Sequence, residues 1–126
     1  FEDNRFRDIG DECIRKHVGM MSLHSGAFGR LLSAAEFEVS PRREVAIITG
    51  NCHDDVGQIV AHINNQYFPD TVVQVSNKDT ATVDEFPILR GKSSVDNKLT
   101  VYICENYVCQ QPVVGLDSCV VALENI

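Results

Sequence analysis

The sequence has no apolar run near the ~20 residues that crossing a bilayer requires, so a transmembrane span is excluded. Basic residues are scarce. Eleven Lys and Arg stand against eighteen Asp and Glu, for a net charge of −7, and Arg42-Arg43 is no more than a pair. A field of that sign repels phosphate backbones and anionic headgroups, which argues against nucleic acid and membrane as partners. The five cysteines, Cys13, Cys52, Cys104, Cys109 and Cys119, are odd in number and scattered. A secreted disulfide scaffold shows a denser, even set, so the expectation is a cytoplasmic protein with reduced thiols. The chain begins Phe1-Glu2-Asp3-Asn4-Arg5, with neither an initiator Met nor a signal-peptide pattern. Helical periodicity starts at once, and the expectation is a piece of a longer chain cut between elements. Internal repeats and low-complexity tracts are absent.

What is present is one domain's worth of material in two textures. Ile9, Cys13, His17, Met20 and Met21 recur at helical spacing, with Asp8, Asp11, Glu12, Arg15 and Lys16 as the wet face. Ser22 to Gly26 breaks that helix, and Ser25 is placed to cap the next, whose apolar stripe is Phe28, Leu31, Leu32 and Ala35. Both stripes are narrow, so the pair should need a partner surface. Ser40-Pro41 forms a boundary, because the residue before Pro is pushed out of helical geometry.

Beyond it the period changes. Val45-Ala46-Ile47-Ile48 is a short continuous apolar run of the kind buried on both faces. Thr49-Gly50-Asn51 turns the chain, Asp54 or Asp55 caps a helix carrying Val56, Ile59, Val60, Ile63 and Tyr67 on one face, and Pro69 ends it. Thr71 to Val75 then completes a βαβ unit with parallel strands and a right-handed crossover. Residues 76–97 are polar and irregular, with a turn of helix expected near Val83–Phe86 before the chain crosses the sheet. Thr100 to Cys104 is a third strand, Val108 to Val114 a short antiparallel partner, and Leu116, Val120 and Leu123 mark a closing helix. The expected fold is mixed α/β. An αα-hairpin spans residues 1–40, and a small, mostly parallel sheet of three to four strands with flanking helices spans residues 41–126.

Two segments are candidates for chemistry. The loop Gly50-Asn51-Cys52-His53-Asp54-Asp55 follows a strand and precedes a helix, where open α/β sheets bind ligands. Gly50, Asn51, His53 and Asp54 are its candidate ligand residues. Rossmann and P-loop spacings are missing, and two aspartates suit a bare helix N-terminus as well as any ligand. Cys52-His53 are adjacent, which disfavours a nucleophile–base pair. His17 falls on the apolar stripe of the first helix, His24 in a turn and His62 on the polar side of the third helix. No histidine groups with cysteines at zinc-ligand spacing, so neither a metal nor a cofactor is expected.

The second segment is Tyr102 to Pro112. With Glu105-Asn106 as a two-residue turn, Cys104 faces Tyr107 and Cys109 faces Tyr102, leaving the two sulfurs diagonal on one face of a ribbon. Their spacing is not that of a Cys-x-x-Cys redox motif. Cys104 and Cys109 therefore read as small buried hydrophobes, as a thiol-redox pair, or as a shared metal or partner contact.

Pro87-Ile88-Leu89-Arg90-Gly91-Lys92, Val95-Asp96-Asn97-Lys98, Tyr102-Ile103-Cys104-Glu105-Asn106 and Cys109-Gln110-Gln111-Pro112-Val113 together resemble a known pattern. It is the C-terminal end of the YyaL-type thioredoxin-domain-containing proteins, whose animal members are called spermatogenesis-associated protein 20. The resemblance runs from about Glu44 to Val114. It implies a parent with a thioredoxin-like domain followed by a six-hairpin (α/α) toroid like those of glycosidases. Residues 1–40 would then be the last toroid hairpin, and the partner either the rest of the parent chain or a second copy. The family offers no firm role for Cys104 and Cys109. No complete active site is legible, because glycosidase chemistry needs two carboxylates at a defined separation and the acids here sit on polar helix faces or in caps. The functional expectation is a structural or interaction portion of a larger carbohydrate-active-like protein, with a thiol-redox module and a small-ligand loop as alternatives.

Overall fold

A computed structural model gives the fold and describes residues 4–51, 53–76, 86–106 and 108–126, the side chains of His53 and Asp54 excepted. The chain divides into two compact units, Phe1–Pro41 and Arg42–Ile126.

The first unit holds α1 (Asn4–Leu23), a 3-10 turn (Ser25–Ala27) and α2 (Gly29–Val39). Arg7, near the start of α1, forms an ion pair with Glu38, near the end of α2, at 3.0 Å, and the His17 and Phe28 rings lie 6.2 Å apart. The inward side of α1 differs from the stripe expected. Met21 is buried and Ile14 half-buried, whereas Ile9, Cys13, His17 and Met20 are exposed. Those exposed residues follow the same helical period about a third of a turn away, so periodicity alone could not choose between the two arcs. Ser25 opens the 3-10 turn instead of capping α2, which begins after Phe28 without a side-chain cap.

The second unit is built on β1 (Arg43–Ile48), α3 (His53–Asn64), β2 (Thr71–Ser76), a 3-10 turn (Pro87–Leu89), β3 (Thr100–Glu105), β4 (Val108–Cys109), β5 (Val113–Val114) and α4 (Leu116–Leu123). β1 and β2 pair in parallel with α3 between them. The five-stranded sheet is otherwise antiparallel, so the expectation of a mostly parallel sheet is corrected. β3 lies antiparallel on the other side of β1, with β4 and β5 both beyond it.

The reason lies in where the connection from β2 to β3 begins and ends: Ser76 closes β2 opposite Ile48, and Thr100 opens β3 opposite the same residue. Val95 and Lys98 bridge each other around Asp96 and Asn97, whose φ values of 52° and 55° fit the mirror-image tight turn that asks for positive φ at both central residues. The Asn97 carbonyl accepts the Asn51 amide proton at 3.1 Å, holding the connection at the carboxyl end of β1. A strand that starts at that end, with Thr100 opposite Ile48, must run back antiparallel. The helical turn foreseen near Val83–Phe86 lies mostly outside the described residues, and the turn that is seen starts at Pro87. Tyr67 does not extend the α3 face: the helix stops at Asn64, and Tyr67 is 84% exposed.

Alternation with period two sorts the sheet's side chains. Val45, Ile47, Val101 and Ile103 point to one face and pack with Ile59 of α3 and with Cys119 and Leu123 of α4. Ala46 and Ile48 point to the other and pack with Leu89, Ile88 and Tyr102. The Tyr102 hydroxyl donates to the Ser93 carbonyl at 2.8 Å and ties the connection to that second face.

Candidate functional site

The turn between β3 and β4 decides where the two cysteines meet. Asn106 has φ 50°, a conformation that Asn tolerates better than most residues because its short amide can bond locally. With Asn106 as the first residue of the turn, Glu105 pairs with Val108 and Cys104 with Cys109. The turn thus sits one residue later than expected, which moves the partner of Cys104 two residues along, from Tyr107, a residue outside the described set, to Cys109. The Gln110 amide donates to the Ile103 carbonyl at 2.9 Å. Ladder bonds alternate along an antiparallel pair, so Cys104 and Cys109 occupy the neighbouring non-hydrogen-bonded site, where opposing side chains come closest. Their Cα atoms are 3.8 Å apart and their sulfurs form a disulfide.

The two ends of that bond differ. Cys104 is 1% exposed on a strand flanked on both sides. Cys109 is exposed on a two-residue strand at the sheet edge, next to exposed Val108, Gln110, Gln111 and Pro112. The edge continues irregularly: one residue, Tyr102, separates Ile103 from Val101, while Gln111 and Pro112 separate Gln110 from Val113. Two residues opposing one make a bulge, which suits Pro112 because proline has no amide for the ladder. The foreseen antiparallel return is therefore present as two short pieces, β4 and β5.

Arg43 frames the strand ends. Its guanidinium lies 3.4 Å from Asp70 and 3.8 Å from Glu105. On the second face, Glu44 of β1 stands opposite Cys104 of β3, and Val72 of β2 opposite Glu44. Val72, Glu44, Cys104 and Cys109 thus form one transverse row across four strands.

The strand-end loop is occupied by the protein itself. Gly50 has φ 54°, and a Cβ there would collide with the Asn97 carbonyl. The Asn51 amide, one that a ligand at the carboxyl end of β1 would use, is bonded to that carbonyl. His53 and Asp54 begin α3, with side chains outside the described residues, as is Cys52. Among the described residues no three His, Cys, Asp or Glu side chains converge as a metal site would need, and no helix is long and apolar enough to cross a membrane.

Sequence reasoning missed a groove of 420 Å³ between α3 and α4, lined by Gln58, His62, Leu116, Asp117, Val120, Val121 and Glu124. His62, placed on the polar side of α3 by periodicity, is half-buried against it, and its Nε2 is buried without a protein partner among the described residues. No sequence signal could have placed α4 there. Cys119 of α4 is fully buried, and its thiol donates to the Val113 carbonyl at 3.3 Å. Burial pushes that thiol up to about 11, with a backbone hydrogen bond at Val101 offsetting part of the shift.

No family model, curated protein or solved structure matches this chain.

Proposed function

We propose that this chain is a thiol–disulfide-responsive module of a larger cytoplasmic protein, with Cys104 and Cys109 as its reactive pair. The observation that carries the reading is their direct opposition across the β3–β4 hairpin, one sulfur anchored in the sheet and the other at its exposed edge. Disulfides in reducing compartments are usually transient, catalytic or redox-sensing. The overall reaction balances with a monothiol reductant: the disulfide plus two thiols gives two cysteine thiols and the reductant's own disulfide. The resemblance to the YyaL-type thioredoxin-domain-containing proteins fits, since a thioredoxin-like domain in the parent would be a natural dithiol partner. Differential alkylation in glutathione buffers of stepped potential tests the reading. The pair should pass reversibly between bonded and doubly alkylated forms. Free thiols at every potential, or a bond that no dithiol reduces, would each overturn it.

A second reading concerns α1 and α2, taken as an αα-hairpin that completes the toroid of such a parent. Ile9, Cys13, Met20 and Leu23 share one arc of α1 and are all exposed, an apolar stripe of the kind that a neighbouring helix covers. The partner proposed is the preceding helical part of the parent chain. Longer chains carrying it should protect the α1 amides from hydrogen exchange. Unchanged protection, or self-association of the 126-residue chain through the same stripe, would reject that partner.

A further inference from the structure

Resting on the thiol–disulfide reading, we infer that Cys109 is the modification site: an incoming small thiol forms its mixed disulfide there, and Cys104 is the leaving and recapturing thiol. Thiol–disulfide exchange is an in-line displacement, with the attacking thiolate on the far side of the sulfur it attacks, opposite the departing one. The disulfide bridges β3 to β4, so Cys109 is the edge end of the transverse row and Cys104 the inner end. Beyond Cys109 lies the open sheet edge, where Val108, Gln110, Gln111 and Pro112 are exposed. Beyond Cys104 the row continues over β1 to Glu44. A thiolate aimed at Cys104 must reach a side chain that is 1% exposed and approach it from the side of a carboxylate. Steric access and charge therefore select the same sulfur.

The steps balance. A monothiolate attacks Cys109 Sγ, a bond forms between the two sulfurs, and the Cys104–Cys109 bond breaks. Cys104 leaves with the electron pair and takes a proton from water. The Cys104 thiolate can then attack Cys109 Sγ, restoring the internal bond and expelling the monothiol. Alternatively a second monothiolate attacks the sulfur that came from the first, releasing the Cys109 thiolate and the reductant's own disulfide. Glutathione, a small anionic monothiol, belongs to the class that this edge accepts.

The full chain is mixed with glutathione and its disulfide, quenched in acid, and cleaved after Glu105, which separates the two cysteines for mass spectrometry. In the wild type the glutathione adduct should be found on Cys109. With glutathione disulfide alone, Cys104→Ser should be modified at Cys109 faster than Cys109→Ser is at Cys104, by on the order of tenfold or more. Glu44→Gln should speed modification of Cys104 in the Cys109→Ser background, by about fivefold at low salt, and leave that of Cys109 unchanged. An adduct on Cys104, or equal rates in the two serine variants, would overturn the inference while leaving a reversible disulfide intact. Thiols that stay free at every ratio of glutathione to its disulfide would instead overturn the reading on which it rests. Should a serine variant fail to fold, the wild-type adduct position decides alone. A wild type that yields no adduct, with Cys104→Ser unreactive at Cys109, counts against it.

Discussion

Cys104 and Cys109 are direct cross-strand partners, and the disulfide between them closes a loop of only five residues' separation. Loop-closure entropy for so short a span stabilises the folded state by about 2 kcal/mol at most. Reduction of the wild type should therefore lower its urea midpoint modestly, without unfolding the sheet. A Cys104→Ser/Cys109→Ser double variant should show no response to reductant. An unchanged wild-type midpoint would mean that the hairpin ladder alone holds this edge.

Gly50 sits at positive φ with its Cα facing the Asn97 carbonyl. Gly50→Ala should destabilise the chain by at least about 2 kcal/mol, because the methyl meets both an unfavourable backbone conformation and an immovable neighbour. Gly57 in α3 faces open space, with nothing within 4 Å of where a Cβ would stand. Gly57→Ala should therefore stabilise by about 0.5–1 kcal/mol through helix propensity. Chemical denaturation of the two variants side by side checks the contrast. Equal effects would refute the close approach at Gly50.

Ile47 is fully buried between β1's neighbours and the helices, while Ile9 is 66% exposed. Ile47→Ala should cost about 2–5 kcal/mol, and Ile9→Ala should stay within about 0.5 kcal/mol of the wild type. A large loss at Ile9 in the 126-residue chain would show that the α1 stripe is already covered.

Cys119 gives a pH dependence of defined sign. The ordinary thiol value is 9.0, and the buried one is raised to about 11. Between those values the unfolded chain has lost the proton that the folded chain keeps. Stability from this group is thus complete below pH 9.0 and falls as pH rises toward 11. The loss is about 2–3 kcal/mol across the window. Cys119→Ala removes the ionisable group, so its stability curve should be flatter than the wild type's there. Parallel curves above pH 9.0 would contradict the burial effect.

The sequence by itself determined the local features. Helical period marks α1, α2, α3 and α4, the apolar run Val45–Ile48 marks β1, Pro41 marks the junction, and a helix between two apolar runs dictates the parallel β1–β2 pair. Each of these depends on backbone preferences and on burial within one segment. Tertiary structure alone decided the rest. Whether β3 runs parallel or antiparallel depended on the end of the sheet at which it starts, and a bond from Asn51 to Asn97 helps to hold the residues just before it there. Which arc of α1 turns inward depended on its neighbour, because two adjacent arcs share the same period. Whether the cysteines meet depended on a one-residue choice of turn, which shifts each cross-strand partner by two residues, so both sulfurs keep their face and come directly opposite each other. Asn106 at positive φ makes that choice, and with it a diagonal pair of sulfurs becomes a directly opposed and bonded one.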